Sequence, residues 1–369
     1  IGEGTITNGD NTIAIGKSAN AKEEDAIAIG QNAEAFKKGS IALGKDSDAT
    51  GENGVAIGNS AAAAENGIAM GKNTNAMGNA IALGNQANSN ASNAVALGNN
   101  TSSTGTSSIS IGDQARSAGQ RDIAMGSGAG TGSQAGDPPS LMHDRIAIGT
   151  DAGQNNSGNE SIAMGYKAGN NVTGSGNIAI GSIAGSNASG DYNTSIGYLA
   201  NTILDNDKNV TSTIGSHSTA IGAYTRASSG ATAVGDAAIA SGENSVALGY
   251  GAQATGGTAI AIGQNAKSTD NSIALGDASS AQQSMSLGSG YITGSAAGTH
   301  GVVSIGSDSI KRRMVNVADG SAGNDAVNVN QLKAAQDKVG NLIGGGVTVN
   351  SDGSYTNFKL LKTDGSYAE

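Results

Sequence analysis

A short apolar phrase repeats along most of the chain: a bulky aliphatic residue, alanine, a second bulky aliphatic residue and glycine. The first copy is Ile13-Ala14-Ile15-Gly16, and about twenty copies follow one another, mostly 13 or 14 residues apart. Alternation of bulky and small residues predicts a β-strand, because successive side chains of a strand point to opposite faces. Small residues recur three and five places after the glycine, as at Ala33 and Ala35, and predict a second short strand.

Two strands and two turns in each repeat predict one coil of a parallel β-solenoid. Glycine, Asn, Ser and Asp occupy the predicted corners, where left-handed backbone angles are needed. A single coil cannot bury its apolar residues, whereas stacked coils bury a continuous row of them. Roughly twenty coils at about 4.8 Å per coil predict a rod about 95 Å long.

The two faces of the repeated strand differ in size, and we expect Ile, Val, Leu and Met to fill the lumen. The alanine face would then point outward. A solvent-exposed face should carry Lys, Glu, Thr or Asn, so a uniformly small face predicts a sister chain lying close against it. On this assignment Ala124→Leu and Ala147→Leu should disrupt the packing between chains, because overpacking typically costs about 1–3 kcal/mol.

The composition supports a thin core. The chain has 59 glycines, no tryptophan, no cysteine and only 3% aromatic residues, so it lacks the side chains that fill a thick core. A net charge of −10 argues against nucleic acid as a partner. The absence of cysteine excludes disulfides and thiolate metal sites. No apolar run approaches the roughly 20 residues of a membrane-spanning helix.

The repeat is interrupted at three places. The spacing grows to 23 residues between Gly126 and Gly149, and this excess contains Pro138, Pro139 and His143, which form a candidate exposed loop. The period then lengthens to about 16 residues as far as Gly197, and the next coil is swollen by an insertion. Insertions in solenoids project as loops, and exposed loops often carry function, although a tolerated surface insertion is the simpler interpretation.

The pattern changes after Gly306. Asn328 is a predicted N-cap with Gln331 three residues later, which is the spacing of a capping box. A seam of residues three and four apart follows and predicts a short coiled-coil helix, which Gly344 ends. This seam consists of Val329, Leu332, Gln336, Val339 and Ile343. Two Asp-Gly turns in the tail from 347 to 369 predict short β-structure.

No constellation predicts an enzyme. His143, His217 and His300 lack metal-ligand spacing, and no nucleophile elbow or phosphate-binding loop stands out from the glycine-rich background. Asp46 and Asp48 lie one coil from Glu34, a density that is ordinary for an acidic surface. We therefore expect no catalytic, cofactor-binding or metal-binding residue and no cofactor.

The repeated phrase resembles the head repeat of the YadA-like trimeric autotransporter adhesins. Residues 311–336, above all Asn316-Val317-Ala318 and Asp325-Ala326-Val327-Asn328, resemble the neck of that family. The resemblance implies an all-β fold, in which a left-handed parallel β-roll forms a homotrimer and continues into a neck, a short trimeric coiled coil and a β-rich tail. The implied domains are 1–306 head, 307–330 neck, 331–343 coiled-coil stalk and 344–369 connector.

The resemblance also implies a set of contacts in the trimeric neck, where Arg312, Arg313 and the nearby acids Asp319 and Asp325 would clamp neighbouring chains. The implied neck residues are Lys311, Arg312, Arg313, Asp319, Asp325, Asn328, Gln331 and Leu332.

The implied function is a bacterial surface adhesin that attaches to host matrix proteins, host cells, sister cells or abiotic surfaces by multivalent contact. Its implied location is the cell surface and outer membrane of a Gram-negative bacterium, with the membrane reached only through an anchor outside these residues. No nucleic acid is expected as a partner. Two alternatives stay open: a structural spacer within a fibre, and a phage-type fibre or polysaccharide-active solenoid.

Overall fold

The computed structural model describes residues 1–131, 143–202, 215–281, 302–343, 347–350, 354–357, 360–361 and 363–368. The chain divides into two compact units, Ile1–Ile310 and Lys311–Glu369. The predicted domain boundaries at 306, 330 and 343 stay predictions.

One parallel sheet runs through the whole first unit, and we call it the long-strand sheet. Each strand is hydrogen-bonded to the equivalent strand of the preceding and the following coil, as the in-register pairs Ile68–Ile81 and Ala69–Ala82 illustrate. At about 4.8 Å per strand, its 19 described strands span roughly 85 Å. The strands are Ile13–Ile15, Ile27–Ile29, Ile41–Leu43, Val55–Ile57, Ile68–Met70, Ile81–Leu83, Val95–Leu97, Ile109–Ile111, Ile123–Met125, Ile146–Ile148, Ile162–Met164, Ile178–Ile180, Thr194–Ile196, Thr219–Ile221, Thr232–Val234, Val246–Leu248, Ile260–Ile262, Ile273–Leu275 and Val303–Ser304. The predicted parallel β-solenoid is confirmed.

The second strand of the coil forms two shorter parallel sheets. The first contains Ile6–Thr7, Asn20–Ala21, Glu34–Ala35, Asp48–Ala49, Ala62–Ala63, Asn75–Ala76, Asn88–Ser89, Ser102–Ser103, Arg116–Ser117 and Gly130–Thr131. The second contains Arg226–Ala227, Ile239–Ala240, Gln253–Ala254, Lys267–Ser268 and Ser280–Ala281. In the described 16-residue coils between them, turns replace the second strand.

Alanine, and not the bulky aliphatic residues, fills the lumen of the solenoid. The central residue of every three-residue long strand is an alanine or serine with at most 5% of its surface exposed, whereas the flanking bulky residues point outward. Each 14-residue coil sends four small residues inward, for example Ala26, Ala28, Ala33 and Ala35, all fully buried. The predicted assignment of the two faces is therefore wrong. In these 14-residue coils the two strands lie so close together that only methyl groups and small hydroxyls fit between them.

The glycine after each long strand is required by the close approach of the next coil. Gly112 has a φ of 130°, and a Cβ built on it would lie 2.5 Å from the carbonyl oxygen of Gly126. No side chain fits at that distance, and the backbone angle favours glycine as well. A second corner, two residues before each long strand, has left-handed angles at asparagines such as Asn66 and Asn79. Their side chains form ladders, since the Asn66 amide donates to Asn79 Oδ1 at 3.2 Å.

The second unit contains one described helix, Val329–Ile343, and two small antiparallel hairpins. The hairpins pair Thr348–Val349 with Tyr355–Thr356 and Leu360–Leu361 with Tyr367–Ala368. The capping box is formed as predicted: the amide of Gln331 donates to Asn328 Oδ1 at 3.0 Å, and the amide of Asn328 donates to Gln331 Oε1 at 3.3 Å. The predicted helix and β-structured tail are thus present.

The reversed faces change what an overpacking substitution should do. Ala124→Leu is expected to lower the free energy of unfolding by about 1–3 kcal/mol whatever the assembly state, because the added atoms enter the lumen. Ala147→Leu should behave alike. The measurement is chemical denaturation followed by circular dichroism. Met125→Leu is the matched control, since its side chain is 39% exposed and Leu occupies the equivalent position at Leu83. An Ala124→Leu variant as stable as this control would contradict the lumen assignment.

Candidate interaction surface

The outward side chains of the long-strand sheet form a continuous apolar surface, which we call the apolar face. The first and third residues of the long strands contribute to it, and stacking in register aligns each set into a row along the solenoid. The most exposed members of the third row are 36–44% exposed, namely Ile15, Leu43, Met70, Met125, Met164, Ile180, Ile221, Leu248, Ile262 and Leu275. Large contiguous apolar surfaces of this kind mark interaction sites in soluble proteins.

The opposite face, formed by the short strands, is polar and varies from coil to coil. Its corners carry ion pairs between adjacent coils, such as Lys37 with Glu23 at 3.1 Å and Lys38 with Glu24 at 2.7 Å. These side chains are about half exposed, so each pair contributes little to stability. The contrast between the faces identifies the apolar face as the surface that needs a partner.

Glu34 and Asp48 are stacked in register on the short-strand face, in neighbouring coils. Partial burial raises the pKa of Asp48 above its ordinary value, the nearby Glu34 raises it further, and Lys22 opposes both. The Oδ1 atom of Asp48 is buried and accepts no hydrogen bond. Within the part of the chain that the structure describes, no group of three His, Asp or Glu side chains converges on a point.

Asp48→Asn is expected to stabilise the head slightly at neutral pH. The raised pKa means that the folded state binds the proton more tightly than the unfolded state does. The contribution of Asp48 to stability therefore becomes more favourable as the pH falls through its folded-state pKa. This change is complete below the pKa of the unfolded state, about 3.9. At pH 7 the ionised carboxylate is unfavourable, and removing its charge should raise the melting temperature by no more than a few degrees, because solvent screens the group.

The check is thermal melting of Asp48→Asn and the parent chain at pH 7 and at pH 3.5. The difference in melting temperature between the variant and the parent chain should be smaller at pH 3.5 than at pH 7. Asp46→Asn is the control, since that carboxylate is more exposed and accepts a hydrogen bond from Asn32. A gain that is equal at both pH values, or equal in the control, would contradict the electrostatic explanation.

A buried ion pair in the lumen was missed by sequence reasoning. Asp122 and Arg145 are 0% and 1% exposed, and Arg145 Nη2 lies 2.6 Å from Asp122 Oδ2. Asp122 also accepts the amide of Gly119 at 2.8 Å, while Arg145 Nη1 donates to the carbonyl of Asn156 at 2.6 Å. Both residues directly precede a long strand, a position that is small or uncharged in the other coils. That exception in the repeat is the signal that could have revealed the pair.

The candidate loop is described only at its end. Pro138 and Pro139 lie outside the described residues. His143 forms a parallel bridge with Gln120, and its Nδ1 lies 3.1 Å from Asp144 Oδ2. Arg121 holds the pKa of Asp144 below its usual range, mainly through a direct hydrogen bond. His143 thus marks the point where the solenoid resumes after the insertion, and its role in binding stays a prediction.

The predicted neck residues are partly brought together within one chain. The Asn328 side chain donates to Asp319 Oδ1 at 2.6 Å, and Gln331 donates to the carbonyl and accepts from the amide of Gly320. Asp325 accepts from the amides of Ser321 and Ala322, which lowers its pKa. The remaining four, Lys311, Arg312, Arg313 and Leu332, are exposed. The clamp between neighbouring chains stays a prediction.

The described helix is too short and too polar to cross a membrane.

Two family models match the chain. The model described as the YadA head domain repeat matches residues 1–19, 8–33, 21–47, 35–61, 49–74, 77–101, 103–129, 228–252 and 254–290, which together cover just over half of the chain. The model described as the coiled stalk of trimeric autotransporter adhesin matches residues 313–355.

Two similar proteins are the trimeric autotransporter adhesin AtaA and the Yersinia adhesin YadA. The chain is 44% identical over 69 residues to AtaA of Acinetobacter sp. (strain Tol 5), a match that covers 18% of this chain and 2% of AtaA. The chain thus spans only a small fraction of the length of that relative. The chain is also 27% identical to the crystal structure of the collagen-binding domain of YadA. That match covers 49% of this chain and 86% of the YadA domain, with a TM-score of 0.35.

Proposed function

Because the chain belongs to the YadA-like trimeric autotransporter adhesins, we propose that it is the head, neck and first part of the stalk of a homotrimeric adhesin on the surface of a Gram-negative bacterium. It acts by binding and carries out no reaction. Its partners are host matrix proteins or cell surfaces, with sister cells and abiotic surfaces as further targets.

The apolar face is the observation that carries this proposal. A single chain leaves a row of Ile, Leu and Met side chains about 40% exposed along roughly 85 Å of solenoid. Three copies placed side by side around a common axis turn their apolar faces inward and cover this row. A threefold ring of head-to-tail contacts closes on itself, so no copy of the face is left uncovered.

The second unit supports the same assembly. Val329, Leu332 and Val339 on the helix are 66%, 55% and 46% exposed in one chain. A 15-residue helix is marginally stable alone, and three such helices would bury these residues in a common seam. At the neck, Lys311, Arg312 and Arg313 would reach acids of the adjacent copies.

Adhesion then follows from multivalency. The trimer presents three identical polar outer faces, and several weak contacts made together hold a surface more strongly than one contact does. The polar residues that vary from coil to coil on the short-strand face are the surface available for such contacts.

The test has two readouts on the same chain. Light scattering on a sizing column should give the mass of a trimer. The purified trimer should then bind immobilised collagen, the ligand named for the Yersinia domain, or abiotic polystyrene, while an unrelated acidic protein of similar mass does not. A monomer would overturn the proposed assembly. A trimer that binds neither these surfaces nor host cells would favour the structural spacer.

A further inference from the structure

Two pairs of aromatic rings are exposed on the solenoid. Tyr198 and Tyr224 stack edge to face with ring centroids 5.2 Å apart, and Tyr192 and His217 lie 5.5 Å apart at a tilt of 36°. The three tyrosines are 45–60% exposed, and the His217 side chain is exposed as well. Aromatic residues make up only 3% of this chain, so four aromatic rings in two adjacent coils are unusual.

The two pairs lie at the same height on opposite ends of the same two strands. Tyr192 and His217 each stand two residues before a long strand, Thr194–Ile196 and Thr219–Ile221 respectively. Tyr198 directly follows Gly197, and Tyr224 is the second residue after Gly222, so both lie at the other end of these strands, which are paired in register in adjacent coils. One pair thus occupies the leading margin of the apolar face and the other the trailing margin.

The composition of the face changes at the same height. The first residue of the described long strands is Ile or Val in every coil except three, where it is Thr194, Thr219 or Thr232. In the first eight coils with a long strand, the position directly after the glycine, which Tyr198 occupies, is polar, namely Lys17, Gln31, Lys45, Asn59, Lys72, Asn85, Asn99 and Asp113, and tyrosine recurs there in two other coils, as Tyr166 and Tyr250. The turn therefore does not itself require tyrosine. Threonine hydroxyls in the first row of the apolar face and aromatic rings at both of its margins thus occur at the same height, as expected where two protein surfaces are in contact.

Threefold symmetry decides what each margin meets. In the proposed trimer the coils stack along the common axis, so the long strands run across the three inward faces and their ends lie at the edges where copies adjoin. Rotation about the axis preserves height. The trailing margin of one copy therefore adjoins the leading margin of the next copy at the same coil, in a heterologous contact that closes after three copies.

We infer that the Tyr198–Tyr224 pair of one copy packs against the Tyr192–His217 pair of a second copy. Three such contacts form a closed aromatic girdle around the trimer at the level of the coils that begin at Thr194 and Thr219. This inference rests on the proposed function, because it requires the homotrimer. The occupant of this exposed aromatic surface is a second copy of the chain, since the surface continues the apolar face at both of its margins.

The chain has no cysteine, so introduced cysteines can report the contact directly. The variant Tyr192→Cys with Tyr198→Cys is treated with a short bismaleimide, and the product is separated on a denaturing gel. Within one chain these positions lie at opposite ends of the strand Thr194–Ile196, and their six-residue separation spans up to about 20 Å, beyond the reach of a short reagent. Between copies they should be adjacent, and the expected product is a covalent trimer.

Two matched variants test the geometry. Tyr198→Cys alone should give no covalent species, because the three equivalent positions lie at three different edges. Tyr192→Cys with Asn99→Cys places the cysteines on opposite margins but six coils apart, roughly 29 Å along the axis, and should also stay uncrosslinked.

Light scattering of the same samples separates the two hypotheses. A trimer that yields the covalent trimer only in the Tyr192→Cys, Tyr198→Cys variant supports the girdle. A trimer that yields no crosslinked product in that variant overturns the girdle and leaves the proposed assembly standing. A monomer overturns the assembly, and the girdle with it.

Discussion

Replacing Arg145 with methionine is expected to lower the free energy of unfolding of the head by about 3–5 kcal/mol, because it leaves the carboxylate of Asp122 buried without its counter-charge. Methionine fills much of the same volume, so the loss reports the charge more than a cavity. Chemical denaturation followed by circular dichroism measures the change.

The chain contains a matched control for this substitution in an adjacent, exposed ion pair. Arg121 and Asp144 form a second ion pair between the same two coils, but their side chains are 56% and 40% exposed. Arg121→Met should therefore cost no more than about 1 kcal/mol. The double variant Asp122→Ala with Arg145→Met should recover most of the lost stability, since it removes both buried charges. Equal losses for Arg145→Met and Arg121→Met would show that Asp122 is not held in a desolvated lumen.

Introducing carboxylates on the apolar face is expected to prevent assembly without unfolding the solenoid. Leu43→Glu with Met70→Glu places two charges per chain, two coils apart, on side chains that are 40% and 41% exposed in the single chain. Burying six unpaired carboxylates between three copies is strongly unfavourable, and association should weaken by at least about 100-fold, which corresponds to about 2.8 kcal/mol. Light scattering gives the mass, and circular dichroism reports the retained β-structure.

The control places the same charges on the opposite face. The control variant combines Asn75→Glu with Ser102→Glu. These two positions also lie two coils apart, and both point outward from the short strands. This variant should remain trimeric. If it dissociates as the first variant does, net charge and not the apolar face governs assembly; if both remain trimeric, the chains meet elsewhere.

Local and periodic features were predictable from the sequence because the physics that produces them acts within one coil. The phrase Ile123-Ala124-Met125-Gly126 specifies a short strand and a tight corner, and its recurrence specifies the stack of coils. The capping box between Asn328 and Gln331 is local in the same sense, since both hydrogen bonds span three residues. The exposed helical seam also follows from spacing alone.

The direction of the faces could not be predicted in this way. Alternation establishes that one side of a strand is bulky and the other small, but it does not establish which side is inside. That depends on the distance between the two strands of a coil, and the lumen is so narrow that Ala124 points inward and Met125 outward. The outward aliphatic row then becomes the surface that needs a partner.

The sequence by itself determined the coil, its period, the strand and corner residues, the helix start and the family resemblance, because each of these depends on residues close together in the chain. Only the tertiary structure decided which face is inside, that Asp122 and Arg145 meet across 23 residues, and that two aromatic pairs share one height. Each of these depends on which residues of different coils lie close together in the folded chain, and the spacing of residues within one coil does not specify that.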